Sequence, residues 1–185
     1  MSPPKILVHV CCAPCFTAPY FNLRDQGLEV HGFWYNHNIH PYLEYRKRLQ
    51  ALIDFASSNE IRVIYKDDYD LEEFLRNAVY RERNRCENCY HARLKYTAQI
   101  AARGKYDYFT TTLLYSKYQK HDRIIAIAES LSSQYNIPFH YQDFRQLWKE
   151  GIRISQEMNM YRQQYCGCVY SEAERYAQLP SLLKE

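Results

Sequence analysis

The stretch KILVHVCCAPC, residues 5–15, decides the fold. Ile6–Cys12 is a run of strand length, apolar except for His9, bounded before by Pro3 and Pro4 and after by Pro14. Such a run, with no polar alternation, marks a strand covered on both faces, as in parallel sheets. Working outward, Leu28–Tyr35 alternates and is rich in aromatic and β-branched residues, and Ile61–Tyr65 and Tyr108–Leu114 read the same way. Ile137–Tyr141 reads as a weaker fifth strand.

Helical patterns separate these runs. Tyr42–Ser57 carries Tyr45, Leu49, Leu52, Ile53 and Ala56 on one face, and Leu71–Tyr80 follows. Cys89–Ala102 is stopped by Gly104, and His121–Tyr135 keeps Ile124, Ile127, Ala128 and Leu131 in register. Alternating strands and helices predict an α/β fold: an open parallel five-stranded sheet with helices on both faces. The 185 residues suit a single domain over 1–185, with no linker, repeat or low-complexity stretch.

Composition narrows the classes. Hydrophobic residues make up 46% and charged residues 24%, which excludes a disordered chain. A net charge of +3 permits a nucleic-acid partner without demanding one. The start of the chain lacks the apolar core of a secretory signal, and no run is long enough for a membrane span. The expected location is the reducing cytoplasm, where seven cysteines are ligands or redox groups rather than disulfides.

Those cysteines fall into three clusters. In HVCCAPC, residues 9–15, Cys12 and Cys15 have thioredoxin-like spacing, and Cys11 and Cys12 point to opposite faces if strand geometry persists. Cys15 reads most readily as an inert buried thiol. In RCENCYHARL, residues 85–94, Cys86 and Cys89 stand one turn apart at a helix start, where the helix dipole favours thiolate. In YCGCVYS, residues 165–171, Gly167 lets the backbone bend so that Cys166 and Cys168 turn the same way. Spacing alone balances a four-cysteine zinc site against an iron–sulfur site. Three surplus cysteines on the rim where open parallel sheets bind ligands favour redox chemistry. A thiol–disulfide oxidoreductase using Cys12 and Cys15, and a zinc-stapled RNA-binding module, are the rival readings.

HVCCAPC, RCENCYHARL, DYFTTTLLYSKYQ (107–119), DFR (143–145) and YRQQYCGCVYS (161–171) occur in this order, and together they resemble the QueH family of epoxyqueuosine reductases. The resemblance runs from about Lys5 to Tyr176. It implies a fold related to the adenine-nucleotide α-hydrolase (HUP-like) group, with CCAPC where that group has its glycine-rich ATP loop. It also implies reduction of epoxyqueuosine to queuosine at the wobble position of tRNA, the last step of queuosine synthesis. The cofactors implied are a [4Fe-4S] cluster and an additional iron ion held by cysteine and acidic side chains.

On that basis the expected ligands are Cys11, Cys12, Cys86, Cys89, Cys166 and Cys168, with Asp143 as the acidic one and Asp68 behind it. The catalytic candidates are Cys12, Asp143, Tyr69 and Ser116, the last two as proton donors. Arg81, Arg83, Arg85, Lys117, Lys120 and Arg145 are candidates for phosphate contacts with the anticodon loop, as is the run Arg46-Lys47-Arg48. An external electron donor is required. His37 and His40 are possible site-lining residues, whereas His9 reads as a core residue.

Overall fold

The computed structural model describes residues 2–177. Its four strands are β1 (Lys5–His9), β2 (Glu29–Trp34), β3 (Val63–Tyr65) and β4 (Tyr108–Thr111). All pair in parallel, in the order β3-β2-β1-β4. The helices are α1 (Ala13–Asp25), α2 (Tyr42–Ser58), α3 (Leu71–Ala78), α4 (Arg85–Arg103), α5 (His121–Tyr135), α6 (Trp148–Glu157) and α7 (Val169–Tyr176). Ile6, Leu7 and Val8 on β1 have no exposed surface, as a strand covered on both faces requires.

The chain steps from β1 to β2 to β3 in one direction, then crosses back to place β4 on the far side of β1. Right-handed crossovers put α1 and α2 on one face of the sheet and the returning helices on the other. In agreement, α1 packs against α2 and α6, while α4 packs against α3 and α5. The point of reversal lies between β1 and β4, where ligands of open parallel sheets sit, beyond the carboxyl ends of the strands. Each wholly buried Leu, Ile or Phe beneath that rim contributes about 1.5–3 kcal/mol.

The expected fifth strand is not formed. The 137–141 segment makes one isolated parallel bridge, Phe109 to Phe139, with Phe109 donating to the Pro138 carbonyl and His140 donating to the Phe109 carbonyl. Pro138 has no N–H to extend the ladder on one side. On the other side β4 ends at Thr111 and turns into a 3₁₀ segment, Thr112–Tyr115. The sheet therefore has four strands.

Helix α1 carries no sequence signal of the usual kind. Ala13 through Pro19 are all buried, so no polar face alternates with an apolar one, and Pro19 lies inside the helix. Burial by α2 and α6 makes the helix, and the proline is tolerated at the loss of one intrahelical bond.

Candidate metal centre

β1 stops at His9, so Cys11 and Cys12 are past the strand and its two-face alternation no longer governs them. Cys12 is the extended N-cap of α1, which begins at Ala13. Instead of pointing apart, the Cys11 and Cys12 sulfurs lie 3.9 Å from one another. Cys15, one turn into α1, completes a trio whose sulfurs all lie within 4.8 Å. Its sulfur stands with the other two, which makes it a candidate ligand beside them. The signal was present in the sequence: the one-turn spacing used for Cys86 and Cys89 applies equally to Cys12 and Cys15.

The 3₁₀ segment that follows β4 closes this trio from the other side of the reversal point. The Thr112 hydroxyl accepts from the Cys11 backbone N–H at 2.9 Å and donates to the Cys11 sulfur at 3.1 Å. Gln163 donates from Nε2 to Cys12 Sγ at 2.8 Å and reaches Cys15 Sγ at 3.5 Å. Hydrogen bonds from Cys12 and Cys15 hold the Cys11 thiol well below the usual range. Burial raises Cys12, and the hydrogen bonds with Cys11 and Cys12 raise Cys15. Within the trio the electrostatics thus favour the thiolate at Cys11 over Cys12 and Cys15, and an ion held there would displace thiol protons.

Cys86, Cys89, Cys166 and Cys168 form a second, wider group. The first two sit in the opening turns of α4, which starts at Arg85, and Cys168 caps α7. Burial of the Cys89 sulfur pushes its thiol up to about 12, opposed by Arg93 and reinforced by Cys166, Cys168 and Cys86. The four are close enough to feel one another electrostatically, yet they do not close to the 4.8 Å of the trio. A cubane cluster is larger than one ion and needs such a wider frame.

The loop carrying Cys166 and Cys168 is fastened by main-chain contacts. His40 donates its backbone N–H to the Gly167 carbonyl at 2.8 Å, and Arg48 donates to the carbonyls of Cys166 (2.8 Å) and Tyr165 (3.0 Å). Gly167 has φ +152°, and a Cβ there would lie 3.0 Å from Asn38 Nδ2. Only glycine combines that backbone with so close an approach. Arg48 is 2% exposed and its Nε donates to Glu44 at 2.6 Å, while Tyr161 also donates to Glu44. Arg48 is therefore a clamp on the thiol loop, not a phosphate contact.

The loop after β2 supplies buried polar groups beside both sets of thiols. Asn36 donates to the Val10 carbonyl at 2.9 Å, but Asn36 Oδ1, His37 Nδ1, Asn38 Oδ1 and both His40 nitrogens have no partner among the described residues. Burial, then Arg93, lowers His37 to about 4, and burial lowers His40 to about 4. Both are neutral in the fold, whereas an unfolded histidine takes up a proton near pH 6.5. Protons bound only by the unfolded state remove stability as pH falls. The urea midpoint of the metal-free protein is thus expected to be highest above about 6.5 and to fall toward pH 4. A flat midpoint across that window would contradict the burial of neutral histidines.

The remaining candidates divide. Asp143 caps the 3₁₀ segment Phe144–Leu147, accepts from the Arg145 backbone at 3.0 Å, and binds the Arg145 guanidinium through both oxygens at 2.8 and 2.6 Å. Those contacts hold its carboxyl at about 2. In this arrangement it is a cap, not an open ligand, and Arg145 is its partner. Asp68 pairs with Lys66 at 2.5 Å. Arg85 pairs with Glu174 at 2.5 Å and covers the Tyr170 ring, joining α4 to α7. Arg81, Arg83, Lys117 and Lys120 are exposed. Tyr69 packs edge-on against Tyr42, Tyr45 and His40, and Ser116 follows the turn that begins at Thr112. His9 is a satisfied core residue, bonded to Thr111 and to the Tyr35 carbonyl.

An all-parallel sheet with two thiol groups at its point of reversal defines a class: α/β proteins that carry metal or thiol chemistry on the ligand-binding rim. The family model for epoxyqueuosine reductase QueH matches residues 6–174, and the chain belongs to that family. A relative from Dehalococcoides mccartyi, named epoxyqueuosine reductase QueH, is 38% identical over 173 residues, covering 94% of this chain and 95% of its own. One of the same name from Thermotoga maritima is 37% identical over 180 residues, covering 92% and 91%. The solved structure of a predicted subunit of a tRNA methyltransferase from Methanocaldococcus jannaschii superposes with a TM-score of 0.51 at 12% identity, over 85% of this chain and 90% of that one. That likeness concerns the fold alone. No helix among the described residues is long and apolar enough to cross a membrane.

Proposed function

We propose that this chain reduces epoxyqueuosine to queuosine at the wobble position of tRNA, in the cytoplasm, with electrons from an external donor. The observation that carries the reading is the convergence of two thiol groups of different width on one rim, in a member of this family. All seven cysteines are free thiols. Their donor chemistry suits iron, and the two spacings suit two kinds of centre. We assign the wide group, Cys86, Cys89, Cys166 and Cys168, to a [4Fe-4S] cluster. The tight trio, Cys11, Cys12 and Cys15, is assigned to the additional iron ion. The ancestry is that of the adenine-nucleotide α-hydrolase group, with the thiol turn in place of the phosphate loop.

Opening the epoxide to the alkene takes two electrons and two protons and releases one water. When bound, the cluster supplies electrons singly and the ion supplies Lewis acidity toward the epoxide oxygen. The protein's own part is to orient the base, exclude water and deliver protons. Ser116 is the preferred proton donor, because its turn begins at Thr112, whose hydroxyl touches Cys11; Tyr69 is the second. For the RNA, exposed Arg81 and Arg83 lead into Cys86 on one side. Exposed Lys117 and Lys120 flank Gln119 on the other, and Gln119 donates to Cys166 at 3.3 Å. Tyr118, 77% exposed, offers a ring on which a neighbouring base can stack.

The test is purification without oxygen, followed by iron, zinc and acid-labile sulfide analysis and an assay on epoxyqueuosine-containing tRNA. Brown protein with at least about four irons, matching sulfide and queuosine product is expected. Colourless protein with stoichiometric zinc, unchanged by iron–sulfide reconstitution, would favour the zinc-stapled RNA-binding module instead.

A further inference from the structure

Arg93 is 1% exposed, on the core-facing side of α4. A buried guanidinium normally faces a carboxylate, because an unpaired charge away from water is costly. Arg93 has no such partner: among the described residues no Asp or Glu forms an ion pair with it. Its Nε donates to the Cys89 carbonyl one turn back, and its Nη2 donates to Cys89 Sγ, both at 3.1 Å. The acidic groups whose charge, once ionised, would act on it are thiols first, Cys89, then Cys166, then Cys11, with the Tyr90 phenol last. Two of these thiols belong to the wide group and the third to the trio. Arg48 and Arg85 also lie near the wide group, but each is neutralised by its own glutamate. The Tyr90 ring, 5.8 Å away, adds only a weak contact.

The sequence thus keeps a permanent cation at the seam between two thiol groups and gives it no carboxylate. A cation so placed has a purpose only if the sulfurs carry net negative charge in the working protein. We propose that Arg93 is the shared counter-cation of the two cysteine sites, a positioning residue whose charge and N–H···S bond to Cys89 raise the reduction potential of the cluster held there. This inference rests on the ligand assignment above. Its physical basis is general: a fixed positive charge and a hydrogen bond to a ligand sulfur both favour the form of a cluster with one more electron. The same guanidinium also acts electrostatically on Cys11, so its charge would be felt at the trio as well.

The experiment is a redox titration of the reconstituted protein, followed by electron paramagnetic resonance, for wild type, Arg93→Gln and Arg93→Lys, with iron and sulfide measured in each. Arg93→Gln, which keeps a donor but removes the charge, is expected to shift the midpoint to more negative potential. The shift should change the oxidised-to-reduced ratio at fixed potential by at least tenfold, about 59 mV for a one-electron couple. Arg93→Lys is expected to stay nearer wild type. Equal midpoints for wild type and Arg93→Gln, at equal iron content, would overturn the proposal and leave the function standing. If Arg93→Gln folds but keeps no cluster, loading decides: a loaded Arg93→Lys supports the counter-cation, and an empty one refutes it. A wild-type protein that takes up no cluster overturns the ligand assignment and this inference with it.

Discussion

Cys89→Ala is expected to yield a folded chain that retains no cluster and forms no queuosine above background. Cys89 is the thiol to which the wide group is tied most firmly, because it opens the second turn of α4 and accepts from Arg93. Deleting it removes one of four proposed ligands and leaves the Arg93 guanidinium with only Cys166 and Cys11 to face. Loss of an outer partner of a metal ligand costs about 10–100-fold in affinity or activity, so loss of a ligand should exceed about 100-fold. The measurement is paired: acid-labile sulfide per chain, and nucleoside composition of the treated tRNA. Cys15→Ala provides the contrast, since it should leave the sulfide content intact while removing one sulfur from the trio. Full sulfide and wild-type turnover in Cys89→Ala would refute the assignment.

Arg48→Met should be the most destabilising single change near the site. It strips Glu44, itself buried, of its cation, and it releases the carbonyls of Tyr165 and Cys166. Breaking one partner out of a buried ion pair costs about 3–5 kcal/mol, most of it from the charge left behind. Urea unfolding of the metal-free protein is the readout, where two-state treatment is safest. Arg48→Met with Glu44→Leu should recover a large share of the loss, because no lone carboxylate then remains. A single variant within about 1 kcal/mol of wild type would mean that the clamp is not what holds the thiol loop.

Much of this architecture is legible from residues alone. The apolar run of β1 announces a strand buried on both faces, and Gly104 and the Leu49–Leu52–Ala56 stripe announce their helices. What escapes reading shares one cause: tertiary burial rewrites local meaning. Helix α1 is buried around its whole circumference over Ala13–Pro19, so it lacks the periodicity by which helices are recognised. Ile137–Tyr141 has strand composition, but a proline and the early end of β4 limit it to a single bridge. Arg48 sits in a run of three basic residues that looks like a solvated face, yet it is the one turned inward. Asp143 precedes Arg145 at the spacing of a capping turn, and that local bond claims it. Arg93 is in register with Tyr90 and Thr97 on the buried side of α4; that register is the only trace of its role a sequence can show.

The wide thiol group has a further consequence for how the molecule comes into being. Cys89 and Cys166 are 77 positions apart, 166 less 89, and the second pair reaches its place only when Gly167 docks on the loop after β2. A nascent chain on the ribosome has only two of those four sulfurs between the making of Cys89 and that of Cys166. The four-thiol frame is thereby incomplete until Cys168 has been made and the Arg48 clamp holds its loop. A polypeptide ending before Cys166 keeps the trio but cannot complete the wide group, so under the proposed assignment the ligand arrangement itself would act as a completeness check on biogenesis.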